Sequence, residues 1–247
     1  MHIHQHLTRA TATAVLSVVT AACFLPAPAA RAAARDEWMP VTPAELALAA
    51  PAVEPDADAE ALFWDVRVQD RDTGSRLEHI ESNYLRIKVF NERGKESQST
   101  IEIPYATGTK VENIAGRTVK KDGTIVALEA NAVFDRTIVK YGDLKVNVKS
   151  FAMPAVEPGC IIEYRWQEVS ATSAYQRLDL QRDIPVQRVT YHIKPFATVG
   201  FDLGMRFKVW HGSTSPMEKD AGGFVVTKIA NPVLTCCWKM AYFLIRW

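Results

Sequence analysis

The 247-residue sequence has little cysteine, no surplus of either charge and no long helical pattern. Four cysteines in a chain this long do not make a disulfide framework, so a hydrophobic core has to hold the fold. Lys and Arg total 29 against 28 for Asp and Glu, a net charge of +1. That balance gives no basic footprint for nucleic acid and no acidic solvating arm, although a local patch remains open. No internal repeat and no low-complexity linker is present, and no His/Cys/Asp set has metal-ligand spacing, so no metal and no cofactor is expected. Gly200–Gly204 is not a phosphate loop, because no helix pattern follows it. What is present is 48% hydrophobic and 23% charged residues. This is the composition of a globular protein and excludes disorder and collagen.

The first thirty-odd residues read as a segment apart. Met1–Arg9 carries one cation, Ala10–Leu25 is apolar and uncharged, and Ala30-Arg31-Ala32 supplies an A-x-A cleavage pattern. Residues 1–32 are therefore expected to be a secretory signal peptide, and the rest periplasmic or secreted. The apolar run is short and broken by Pro26, so no stable membrane span is expected after cleavage. Cys23 allows a lipoprotein alternative, against which Thr20 stands three residues earlier, where such motifs carry an aliphatic residue. Removal of 1–32 takes two arginines and no acid, moves the charge to −1, and leaves Cys160, Cys236 and Cys237. His2, His4 and His6 fall in the removed region and are not read as metal ligands.

Residues 33–60 form a lead-in. Within it Thr42-Pro43-Ala44-Glu45 fits an N-cap, a proline at the first helical position and a reciprocal capping acid, giving a short helix near 43–50. From Ala61 to Ala230 the dominant period is two. Trp64, Val66 and Val68 alternate with polar residues, as do Leu85/Ile87/Val89, Leu144/Val146/Val148, Cys160/Ile162/Tyr164/Trp166, Val189/Tyr191/Ile193 and Met205/Phe207/Val209. This is the pattern of half-buried antiparallel strands. Turn residues separate the runs. Asn91–Gly94 reads as one such turn, and Asp122-Gly123 as the best hairpin. The expected fold is all-β, an antiparallel sandwich or open barrel of a dozen or so short strands.

Asp56–Ala61, Arg86–Glu96, Arg117–Val126, Val133–Arg136, Lys149–Pro154 and Val156–Trp166 together resemble the DUF3857 family. The resemblance extends over Trp38–Ala230. It implies a β-sandwich module that precedes a papain-like transglutaminase core in exported bacterial proteins. The Cys, His and Asp chemistry belongs to that core, so no catalytic residue is carried over to this module.

The remaining candidate residues each admit more than one role. Cys237-Trp238-Lys239-Met240-Ala241 superficially resembles the start of a catalytic helix, but no His or Asp follows it. Residues 231–247 hold 12 hydrophobic residues among 17 and no acid. They are expected to be a discordant tail left by truncation or frameshift, or else a final strand. Glu163 with Glu168, and Asp179 with Asp183, are formal carboxylate pairs, better read as solvent-facing charges on strands. Tyr164, Trp166, Tyr191 and Trp210 could line a binding face for a glycan or peptide, or pack as core. Arg177, Arg182 and Arg188 could dock a partner domain, or form a solvated face. The function expected is an exported, non-catalytic accessory domain that scaffolds a transglutaminase-like core or aids its substrate binding. Its partner is that core or another exported protein. The alternatives are a binding module for envelope polymers or proteins, and a fragment without function.

Overall fold

The computed structural model describes residues 38–141, 144–171, 175–180, 182–194, 197–198, 201–202, 206–210, 218–230 and 242–246. The signal, the Cys23 alternative and the Cys236/Cys237 segment lie outside the described residues. Residues 1–40 and 41–247 are separate units, and the described helices and strands all belong to the second.

Helix α1 (Pro43–Ala47) opens on the capping box that its sequence spells: Thr42 accepts from the Glu45 backbone, and Glu45 accepts from the Thr42 backbone. Strands β1 (Ala59–Asp72) and β2 (Leu77–Val89) come next, then helix α2 (Glu92–Gln98), β3 (Thr100–Ala106), β4 (Lys110–Val119) and β5 (Ile125–Ala127). A 3-10 turn at Ala130–Ala132 leads to β6 (Val133–Tyr141), β7 (Leu144–Ala152), β8 (Ile161–Ala171), β9 (Tyr175–Asp179) and β10 (Arg188–Lys194). Shorter strands complete the order: β11 (Ala197–Thr198), β12 (Phe201–Asp202), β13 (Arg206–Trp210), β14 (Glu218–Lys219), β15 (Val225–Ala230) and β16 (Tyr242–Arg246).

The fold is mostly β and sandwich-like. One sheet runs β14-β15-β10-β1-β2-β8-β4-β5, and a three-stranded sheet β3-β7-β6 covers part of its inner face. Trp64, Val66, Leu85, Ile87, Ile162 and Tyr164 from the large sheet meet Ile101, Ile103 and Phe151 from the small one. Residues Tyr242–Arg246 of the tail form a strand between β13 and β9.

Three details depart from the sequence pattern. The first two strands, 14 and 13 residues long, are long rather than short. The ladder of β1 with β10 is parallel, because the chain crosses from β8 before laying β10 beside β1. Asn91–Gly94 begins α2 rather than a turn: Asn91 Oδ1 accepts the Gly94 amide at 3.0 Å and caps the helix. The Asp122-Gly123 hairpin forms as expected, with Val119 opposite Ile125 and Gly123 at φ +86°.

The outer face of the large sheet is partly covered by the lead-in. Val41, Leu46 and Leu48 pack on Leu62, Val119 and Ile161. Glu60 accepts from the Ala52 and Val53 amides at 3.0 and 2.7 Å.

Candidate functional site

Strand alternation sends β2 and β8 residues to opposite faces of the sheet. On the outer face, Glu163 is fully buried and accepts from three groups. Arg86 donates from Nε at 2.9 Å, Arg117 from Nε at 2.5 Å, and the Tyr84 hydroxyl donates as well. Arg86 also reaches Glu45 of α1 at 2.7 Å and lies over the Phe63 ring. Buried Lys88 donates to the carbonyls of Leu46 and Gly159 at 2.7 and 2.6 Å, and burial pushes its ammonium down from the usual lysine range. This network clamps the lead-in to the sheet.

The inner face holds a different polar cluster. Glu81 of β2 stands directly opposite Glu168 of β8. Asn83 bridges the Trp64 indole N–H, at 2.8 Å, to Glu81, at 3.0 Å, and Trp166 Nε1 donates to Glu168 at 2.9 Å. Two positions away along β2, on the same face, His79 Nδ1 meets Asp70 at 3.0 Å. Glu81 keeps some solvent contact, yet protein atoms crowd its carboxyl. Burial, reinforced by the Glu168 charge, pushes it up to about 7. Burial pushes Glu168 up as well.

Leu180, Arg182 and Ile184 reach the same inner face. Leu180 is buried in the core and Ile184 packs against it. The Tyr191 hydroxyl donates to the Asp179 carbonyl at 2.6 Å. The Arg182 guanidinium sits 5.1 Å over the Trp64 ring and donates to the Tyr164 hydroxyl at 3.3 Å.

The structure therefore brings Tyr164, Trp166, Tyr191 and Arg182 together, with the three aromatic side chains buried. Tyr164, Trp166 and Tyr191 are 2%, 6% and 1% exposed. They are core residues and not a surface platform, which corrects the binding-face reading for these three. The docking arginines do not share a face: Arg182 is on the inner cluster, while exposed Arg188 lies on the outer face near the Phe63 ring. The side chains of Arg177 and Trp210 lie outside the described residues.

The formal pair Glu163/Glu168 is split between the two faces, and Asp179 and Asp183 are both exposed. The carboxylate pair that does form, Glu81 with Glu168, is 87 positions apart and carries no local signal. Cys160 is fully buried and burial pushes its thiol up, away from nucleophilic use. Among the described residues no cluster of three or more His, Cys, Asp or Glu could hold a metal ion. Among the described residues, no helix is long and apolar enough to cross a membrane.

Fold and cluster together define a β-sandwich module whose polar residues are mostly tied into its own packing. The family profile described as "Domain of Unknown Function with solved-structure structure (DUF3857)" matches residues 78–228, and the chain belongs to that family. A solved structure from Parabacteroides distasonis ATCC 8503, described as a "putative protease", is 18% identical with a TM-score of 0.55. The alignment covers 76% of this chain but only 40% of that one. A second, described as a "putative nutrient binding protein" from Legionella pneumophila subsp. pneumophila str. Philadelphia 1, is 7% identical with a TM-score of 0.32. It covers 76% of this chain and 67% of its own, and at that score it carries no argument. No curated protein matches the chain.

Proposed function

We propose that the chain is an exported, non-catalytic accessory module that positions or shields a transglutaminase-like core and aids binding of that core's protein or peptide substrate. The observation that carries this reading is the proportion of the protease-described neighbour. Most of this chain fits within 40% of that longer protein, as a module beside further domains would. The site's own chemistry supports the same reading. Its two raised carboxyls are spent on indole and amide donors of the core, and its buried thiol is held protonated.

The test is an assay of the purified full chain with a peptide amide and an amine donor. No ammonia release above the blank is expected. Turnover that disappears with Cys237→Ala would overturn the reading, because the chain would then be an enzyme itself.

A further inference from the structure

The Glu81–Glu168 pair lacks the cations that the outer Glu163 has. The two residues stand directly opposite each other on β2 and β8, where facing side chains start about 5 Å apart. Each gives its Oε1 to a core donor, the Asn83 amide for Glu81 and the Trp166 indole for Glu168. Among the described residues, none donates to either Oε2. β1 and β4 flank the pair with Val68 and Val111, and β10 brings Ile193 opposite Val68. Arg182 is engaged elsewhere, at the Trp64 ring and the Tyr164 hydroxyl. Burial pushes Glu81 up to about 7 and pushes Glu168 up as well, as it does for carboxyls without a counter-ion. Both residues are only half-buried, so the pair can be reached from solvent.

His79 adds an unsatisfied group of a different kind. Its side chain is 7% exposed, its Nδ1 is turned to Asp70 on β1, and its buried Nε2 has no hydrogen-bond partner among the described residues. The two ring nitrogens point away from each other, so Nε2 is aimed away from β1, toward β8 and the carboxyl pair. In the neutral ring the Nδ1 hydrogen goes to the Asp70 carboxylate, which leaves Nε2 an acceptor. We propose that Glu81, Glu168 and His79 form a recognition site for a primary ammonium, either the side chain of a partner protein's lysine or a free alkylamine, whose three N–H groups go to the two carboxylates and to His79 Nε2. An ammonium takes its acceptors at hydrogen-bond distance, so a set that does not close on a metal ion still suits it. The site stands whether or not the module serves a transglutaminase-like core.

The test uses the full chain labelled with 15N-indole tryptophan, at pH 8 and constant ionic strength. The Trp166 indole N–H, which donates to Glu168, is the reporter, and Trp166→Phe assigns its signal. The chain is titrated with Nα-acetyl-lysine amide, with butylamine and with Nα-acetyl-norleucine amide, which has the lysine chain without its ammonium. A saturable shift of the reporter is expected with an amine and not with the norleucine compound. Tighter binding of the lysine compound points to a protein's lysine, and tighter binding of butylamine to a free amine. Glu81→Gln and Glu168→Gln are each expected to weaken binding about tenfold or more, read in whichever variant keeps the wild-type far-UV circular dichroism. No saturable shift of the wild-type reporter with either amine overturns the site. So does an equal shift with the norleucine compound, or amine binding that the glutamine variants leave unchanged.

Discussion

Strand β8 carries two glutamates five positions apart, and the sheet treats them in opposite ways. Glu163, on the outer face, is met by Arg86, Arg117 and Tyr84. Glu168, on the inner face, stands opposite another carboxyl, Glu81, and accepts from the Trp166 indole. Both sites lie within one folded body, and the outer set, through Arg86 and Lys88, ties the lead-in to the sheet. The difference is compensation. A buried carboxylate with matched cations stays in place as an ion, whereas two carboxyls facing each other keep a proton. The outer cluster is therefore a fixed clamp, and the inner one a site whose charge changes with pH.

The largest expected effect breaks the outer side of this contrast. Glu163→Ala leaves the buried Arg86 and the mostly buried Arg117 facing each other without their shared acceptor. Removing one partner of a buried ionic set costs about 3–5 kcal/mol. Urea unfolding of the variant at pH 7 should show a loss of this size. The matching change on the inner face, Glu168→Ala, removes a like charge from Glu81 and should cost much less at the same pH. Equal losses for the two variants would erase the distinction between the compensated and the uncompensated site.

The next effect sharpens the inner side. Glu81 ordinarily titrates near 4.5 and is pushed up to about 7 in the folded chain. The folded state then holds a proton that the unfolded state has released. Stability from this group is fully present below about pH 4.5 and is lost as pH rises through about 7. The full difference is up to about 3 kcal/mol at 1.36 kcal/mol for each pKa unit. The measurement is the stability difference between wild type and Glu81→Gln at pH 5 and pH 8. Wild type should lose ground against the variant as pH rises, and a constant difference would show that Glu81 titrates normally.

How much of this is legible in the sequence depends on the separation of the residues along it. The Thr42–Glu45 capping box and the Asp122-Gly123 hairpin are local, and both form as their residues dictate. The alternating runs at Trp64–Val68, Leu85–Val89 and Cys160–Trp166 fix which side chains share a face. They do not say which face is covered. Tyr164, Trp166 and Tyr191 therefore fit a surface platform as well as a core until the folded packing buries them. Asn91 is ambiguous for a physical reason: the same side-chain geometry that starts a turn also caps a helix. The two carboxylate sites are illegible, because Glu81 finds Glu168 and Glu163 finds Arg86 only through strand register set across 77 or more positions.

The smallest effect concerns what the clamp holds. Glu45 has two duties: it closes the capping box of α1 and it takes the Arg86 guanidinium at 2.7 Å. Burial raises its carboxyl, but the Thr42 amide and Arg86 outweigh this and hold it below its usual range. Thr42→Ala deletes the side-chain acceptor for the Glu45 amide at 3.2 Å while leaving the Arg86 contact possible. Loss of such an N-cap costs about 1 kcal/mol in an ordinary helix. Here α1 is only five residues long, so its helicity rests on the sheet beneath it rather than on its own propensity. If the clamp dominates, Thr42→Ala should cost about 1 kcal/mol or less in urea unfolding and leave the lead-in protected in hydrogen exchange. If the cap dominates, the amides of Leu46 and Leu48 should lose protection together, and the lead-in would be a separately unfolding strap instead of part of the sheet's ionic lock.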